Sequence, residues 1–191
     1  AVKLQEAIQK RLEQKHVTIR PINVKDFKNE VSKVREIYNS AWDKNLGFVP
    51  MTEKEFNYLA KDLKMILDPD FCLVAEHEGK MVGFALAVPD INQVQIKIKK
   101  GRLLPTGIFK LLFGRKKINY VRIITLGVIE AYRKMGIEAC FYARIIKTGA
   151  EKGINAGEAS WILETNEMMN KGLQNINGKV YKTYRIYEKA I

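Results

Sequence analysis

"YVRIITLGVIEAYRKMGIEACFYARIIKTGAEKGINAGEASWILE", Tyr120 to Glu164, is the stretch from which the fold can be read. Tyr120 to Val128 is rich in β-branched residues and reads as a strand. Ile137 to Gly153 has the apolar spacing of an amphipathic helix, with Gly153 as its C-cap. Ala156 to Glu164 reads as a second strand. Strand, helix and strand in this order make a βαβ unit, which requires parallel pairing and a right-handed crossover. The joint between the first strand and the helix, Leu126 to Ala139, carries Arg133 and Gly136. The first N–H groups of a helix lack intrahelical acceptors and sit at the positive end of its dipole. A glycine there lets an anion such as a phosphate approach the backbone.

Outward from this unit the pattern stays regular. Leu4, Ile8 and Leu12 recur at helical spacing between Val2 and Lys15, which predicts an accessory helix with a narrow apolar stripe. "VTIRPI", Val17 to Ile22, alternates and meets Pro21, which suits a short edge strand. Val24, Phe27, Val31, Val34, Tyr38 and Ala41 predict a helix. Thr52 followed by Glu55 is a capping box that opens another, with Phe56, Leu59, Leu63 and Ile66 as its expected buried face. Phe71 to Asp90 contains two apolar runs around a Glu-Gly-Lys turn and predicts a β-hairpin. After Glu164 a short helix from about Asn166 to Gln174 and a last strand, Lys179 to Lys189, are expected. Trp42 and Trp161 read as core residues.

Composition narrows the chemistry. A chain of 191 residues with 47% hydrophobic residues suits one well-filled domain. No apolar run reaches the ~18 residues of a membrane span. The first twenty residues are too charged for a signal-peptide core, so a soluble cytoplasmic protein is expected. The chain opens on Ala1 rather than methionine, which leaves a processed start and a longer parent chain both open. Cys72 and Cys140 sit in apolar runs and read as core thiols. His16 and His77 are far apart in sequence, so neither a metal site nor a thiol–imidazole pair is expected. A formal charge of +12 favours an anionic partner without naming it.

Within the joint, V-x-E-x-Y-R-x-x-G-x-E-A (Val128 to Ala139) resembles the acyl-coenzyme A signature of the GNAT superfamily of N-acetyltransferases. Val128 and Tyr132 stand where that family has an aliphatic and an aromatic residue, and Arg133 and Gly136 match its core. Glu130 replaces a frequent proline, and Glu138 stands where a small residue is usual. The hairpin "LVAEHEGKMVGFALA" and the segment "SWILETN" resemble further elements of the family, so the likeness runs from Val17 to Ile191. It implies an accessory helix over 1–16 and a single α/β domain over 17–191 with a basic insert at about 92–118. That domain would hold a central mixed, twisted sheet flanked by helices, with a V-shaped splay between the fourth and fifth strands.

The resemblance also implies a mechanism. Acetyl-CoA or another acyl-CoA would lie in the splay, its thioester carbonyl against backbone N–H groups of Leu126, Gly127 and Val128. Arg133, Lys134, Met135, Gly136, Ile137 and Glu138 would face its pyrophosphate, and Asn166 would complete the cofactor side. An amine would attack directly, with a base to take its proton and an acid for the thiolate. Glu130 and Glu158 are the candidate bases. Leu173 replaces the family's usual helix tyrosine, which leaves Tyr184, or its neighbours Tyr181 and Tyr187, as candidate acid. Each has an ordinary alternative: half-buried sheet tyrosines, and carboxylates paired to lysine.

Between hairpin and signature strand lie about thirty residues, "QIKIKKGRLLPTGIFKLLFGRKKINYVR" (Gln95 to Arg122), where a compact connection needs far fewer. Three readings stand: a lid over the acyl or acceptor site, a segment resting on an anionic membrane surface, and an extra helix with snorkelling lysines. The sequence supports an N-acyltransferase acting on an unidentified amine. A catalytically silent acyl-CoA-binding module on the same fold and a nucleic-acid-binding protein are the rival classes, and monomer and homodimer are both open.

Overall fold

The computed structural model describes the backbone of residues 2–43, 48–98 and 101–189, with side chains from Glu6 onward. The side chain of Leu4 and the insert's Lys99 and Lys100 lie outside the described residues. Two compact units emerge, one over Val2–Ser160 and one over Trp161–Ile191.

The larger unit is built on a sheet of five strands in the order β1-β2-β3-β4-β5. These are β1 (Val17–Pro21), β2 (Cys72–His77), β3 (Lys80–Pro89), β4 (Tyr120–Val128) and β5 (Ala156–Ala159). The first three pairings are antiparallel and β4–β5 is parallel. Pro21 ends β1 at the sheet edge, where its missing N–H disturbs no ladder. Two residues, Glu78 (φ +50°) and Gly79 (φ +79°), connect β2 to β3. Positive φ at both gives the turn the twist a two-residue hairpin needs.

The helices of this unit are α1 (Val2–Gln14), α2 (Phe27–Trp42), α3 (Glu53–Lys64), α4 (Asn92–Gln95), α5 (Gly107–Gly114) and α6 (Ile137–Glu151). One sheet face carries Cys72, Val74, Phe84, Leu86 and Val88, packed under Phe27, Val34, Ile37 and Tyr38 of α2 and Leu63 of α3. The alternate residues Leu73, Ala75, Ala85 and Ala87 are fully buried on the opposite face. Alpha-helix α6 covers that face through Ile137, Phe141 and Ile145. With both faces covered, β2 and β3 read as continuous apolar runs rather than alternating ones. Helix α1 lies along α6 and β1, with Leu12 buried. The capping box is present, Thr52 accepting from the Glu55 N–H (3.3 Å) and Glu55 from the Thr52 N–H (3.0 Å).

Several expectations change. Helix α2 starts at Phe27, with Val24 left exposed on a preceding 3-10 turn. Leu59 on α3 is 42% exposed, because that helix buries only a narrow strip. The expected strand Ala156 to Glu164 stops at Ala159, since β4 pairs with it only from Tyr120 to Ile123. No strand forms over residues 179–189. The alternation there supplies a plausible strand face, but a strand also needs a ladder partner for its N–H and C=O groups. Ile186 is 98% exposed and Tyr184 and Tyr187 are also exposed. Trp42 is a core residue, edge-on to Tyr38 (4.3 Å) and Phe84 (6.5 Å). Trp161 is not: it lies past the end of β5 and is 86% exposed, near the Tyr184 ring (6.3 Å).

In the smaller unit, α7 (Glu167–Asn175) is capped by Asn166, whose side chain accepts from the Met169 N–H at 3.2 Å.

Candidate active site

Strand β4 changes phase in its middle. Ile123 pairs with Ala87 and Thr125 with Leu86, so Ile124 is an extra residue, a β-bulge. The Ile129 N–H donates to Val82 O (2.9 Å), so alternation turns Gly127 toward β3 and the N–H groups of Leu126 and Val128 to the other edge. On that edge β5 accompanies only Tyr120 to Ile123. The last contact is a bond from the Ser160 N–H to Ile123 O at 3.4 Å. Beyond it the two strands part, and this is the splay. Gly127 fits closely here: a Cβ would sit 3.2 Å from Phe84 and 3.3 Å from Ala41, so those side chains would have to give by a few tenths of an ångström.

The joint after β4 is tightly held. A 3-10 turn over Glu130–Tyr132 leads out of the strand. Tyr132 Oη lies 2.9 Å from His77 Nδ1, which ties the turn to the β2–β3 hairpin. The Arg133 side chain donates to Val128 O and to Ala41 O, both at 3.2 Å. It thereby joins the exit of β4 to the end of α2, and the backbone rather than this guanidinium is what the joint presents. Lys134 (φ +67°) and Gly136 (φ +94°) adopt left-handed conformations on either side of Met135. Gly136 is the N-cap of α6 and its carbonyl accepts from the Cys140 N–H (3.1 Å). The N–H groups of Ile137, Glu138 and Ala139 precede that first bond and have no intrahelical acceptor. Glu138 lies near enough to Tyr142 that, after burial, its charge helps push that phenol up to about 12.

The α2/α3 face of the splay carries a polar group of its own. Arg122 Nη2 donates to Glu158 Oε1 (3.2 Å) and approaches Ser160 Oγ (3.4 Å). Cross-strand partners share a face, so Arg122 and Glu158 stand on the side of Val88. Arg122 Nε and Thr125 Oγ1 are buried without a hydrogen-bond partner among the described residues. Buried polar atoms left unpaired are uncommon and cost about 1–3 kcal/mol each. Neither residue was singled out in the sequence, although two polar residues inside "YVRIITLGV" are the signal that could have found them.

The sequence candidates do not all converge. Leu126 to Glu138 follow one another along the end of β4, the 3-10 turn and the start of α6. Glu130 lies just past the end of β4, ~20 Å from Glu158 by strand rise, so they do not form a carboxylate pair. Asn166 and Tyr184 belong to the smaller unit, where Asn166 caps α7 and Tyr184 is exposed on irregular chain. Cys72 and Cys140 are buried, with thiols pushed up by burial to about 12 and about 11. Neither is a nucleophile at neutral pH. Among the described residues no group of three His, Cys, Asp or Glu is placed to hold a metal, and no helix is long and apolar enough to cross a membrane.

A mixed sheet that parts beside a glycine-capped helix is the architecture of the acetyltransferase fold. The chain belongs to the acetyltransferase (GNAT) family, whose sequence profile matches residues 31–167. It is 39% identical over 193 residues to Protein YghO of Escherichia coli K12, a match covering 97% of this chain and 49% of that protein. It is 34% identical over 181 residues to the bacterial ceramide synthase of Caulobacter vibrioides, covering 92% of this chain and 47% of that enzyme. The chain thus spans about half the length of these relatives. Its fold is similar to the aminoglycoside N-acetyltransferase AAC(6')-Iy solved with CoA, at a TM-score of 0.59 and 16% identity, over 92% of this chain and 96% of that one.

Proposed function

We propose that this chain is an N-acyltransferase that moves an acyl group from acyl-CoA to an amine by direct attack. The observation that carries the reading is the half-paired β4, whose Leu126 and Val128 N–H groups have no ladder partner among the described residues and which leads, through one 3-10 turn, to the Gly136-capped start of α6. These fit the two ends of an acyl-CoA. The thioester oxygen would bond the strand N–H groups, which strengthen their hold as it becomes an oxyanion. The pyrophosphate would meet the backbone of Arg133 to Glu138 at the positive end of the helix, with Lys134 beside it.

The amine nitrogen attacks the thioester carbon, so a C–N bond forms, the C–S bond breaks and CoA leaves as thiolate. One proton leaves the nitrogen for a base and one returns to sulfur. Glu158, already paired to Arg122, is the candidate that orients the amine and receives its proton, and Arg122 Nε and Thr125 Oγ1 offer the acceptor polar contacts. Glu130 lies at the donor end, where a role with the departing thiol fits better than one with the amine. The Caulobacter relative's name supports the bond class, because a ceramide is an amide made on the amine of a long-chain base.

The test is calorimetric titration with acetyl-CoA and a long-chain acyl-CoA, followed by thiol release with short and long-chain amines. Binding abolished by Gly136→Glu, with turnover reduced by ~10²–10⁴ in Glu158→Gln, is expected. Absence of binding to either thioester would sink the proposal. Binding without turnover on any amine would favour the silent module that Leu173, in the usual place of a helix tyrosine, also allows.

A further inference from the structure

Between Ile91 and Ile118 the chain has eight lysines or arginines and no Asp or Glu. This segment leaves β3, builds α4, α5 and a 3-10 turn over Arg115–Lys117, and returns to β4, rooted where the Asp90 N–H meets Tyr120 O (2.9 Å). Its packing is inverted. Helix α5 turns its glycines to the protein: a Cβ on Gly107 would strike Arg102 O at 2.4 Å, and one on Gly114 would strike buried Val94 at 2.6 Å. It turns its large apolar residues outward. Phe109 is 59%, Leu112 58% and Phe113 69% exposed, and the preceding Leu103 and Leu104 are 53% and 72% exposed.

The platform under them is firm. The Ile108 N–H donates to Leu103 O (2.7 Å), Lys110 Nζ to Lys97 O (2.9 Å), and Arg115 to Met65 O at the end of α3 (3.0 Å). A helix that only covered the core would bury its phenylalanines and expose its small residues. A contiguous apolar face of this kind marks a contact surface.

We propose that the α5 face docks on an anionic lipid bilayer, with Phe109, Leu112 and Phe113 in the acyl boundary and Lys110, Arg115, Lys116 and Lys117 at the phosphates. Charge decides the occupant. An all-basic, acid-free rim complements acidic headgroups, whereas a second copy of the same patch would set like charges against each other. Apolar side chains alone would not need that rim. Each cation near an anionic surface strengthens binding about fivefold, and the aromatic face supplies the part that salt does not screen. The proposal does not depend on the acyltransfer reading, since docking is measured without donor or acceptor.

The probe is co-sedimentation of the 191-residue chain with phosphatidylcholine vesicles, with and without phosphatidylglycerol, at low and high salt. Binding to the acidic vesicles that weakens with salt is expected. Phe109→Ser with Phe113→Ser should weaken it more than about tenfold at low salt, with an unchanged thermal melt. Lys116→Gln with Lys117→Gln should weaken it by about fivefold per cation, whereas Lys25→Gln with Lys28→Gln, exposed on the 3-10 turn before α2 and on the first turn of α2, should not. Equal loss in all three charge and apolar variants would mean general attraction to a basic protein and overturn the proposal. So would equal binding to neutral vesicles, no sedimentation, or a dimer by light scattering that Phe109→Ser dissolves.

Discussion

Gly136 holds φ +94° with Ile8 of α1 only 2.6 Å from where a Cβ would stand, so it is restrained twice. Gly136→Ala should lower stability by about 1–2 kcal/mol in urea unfolding, from left-handed strain alone. It should also weaken acyl-CoA binding in calorimetry. Arg133→Ala removes bonds to two carbonyls at once and should lower the thermal midpoint whether or not CoA is present. The signature made this arginine legible, but not its use, because a motif records spacing and not where a side chain bends. Glu30 was invisible for a similar reason: a carboxylate in a helix reads as solvated until its partner is known. It is buried, and Arg20 grips both its oxygens (2.8 and 2.9 Å) while also holding Glu76. The Arg20 guanidinium holds the Glu30 carboxyl below its ordinary 4.5, against the opposing pull of burial. The unfolded chain therefore takes up this proton first as pH falls. The stability from Glu30 is fully present above about 4.5 and is lost as pH drops through the lower folded value. Glu30→Gln should flatten that acid limb and cost about 2 kcal/mol at neutral pH, less than a fully buried pair because Arg20 is 32% exposed.

Elements were legible where their determinants are local. The hairpin followed from a two-residue turn with apolar runs on both sides, α3 from its capping box, and α6 from its periodicity and Gly153, whose φ of +73° closes the helix. The strands that failed depend on partners far away in sequence. Residues 179–189 have the alternation of a strand and no ladder to join, and β5 loses its neighbour where β4 bulges. Helix α1 shows the converse, since its thin stripe looked accessory while Leu12 is buried beside α6 and β1. Leu12→Ala should therefore destabilise the larger unit by about 2–4 kcal/mol, as a buried core truncation does. Urea unfolding followed by tryptophan fluorescence would read it, because Trp42 lies in that unit's core.

Across the whole molecule the charge of +12 acts at long range, so association with any polyanion, acyl-CoA included, should slow and weaken as salt rises from ~10 to ~150 mM. The buried thiols give a second global readout. Cys72 and Cys140 should stay unreactive to a thiol reagent in native buffer and react together on unfolding, which leaves CoA release measurable without background. The family was legible because the signature lies on one short segment, whereas Arg122 and Glu158 meet only once two strands are paired. The bulge at Ile124 is one supernumerary residue, for Ile123 and Thr125 face the consecutive Ala87 and Leu86 and so keep the alternation of an unbroken ladder on both sides of it. Deleting Ile124 would close the bulge and leave Arg122 on the α2/α3 face and the Leu126 and Val128 amides toward the splay. A single deletion in the paired part of the strand on either side would instead turn one half over. The strand thus carries one spare position that lineages of the chain could lose, while other changes in its length would have to come in pairs.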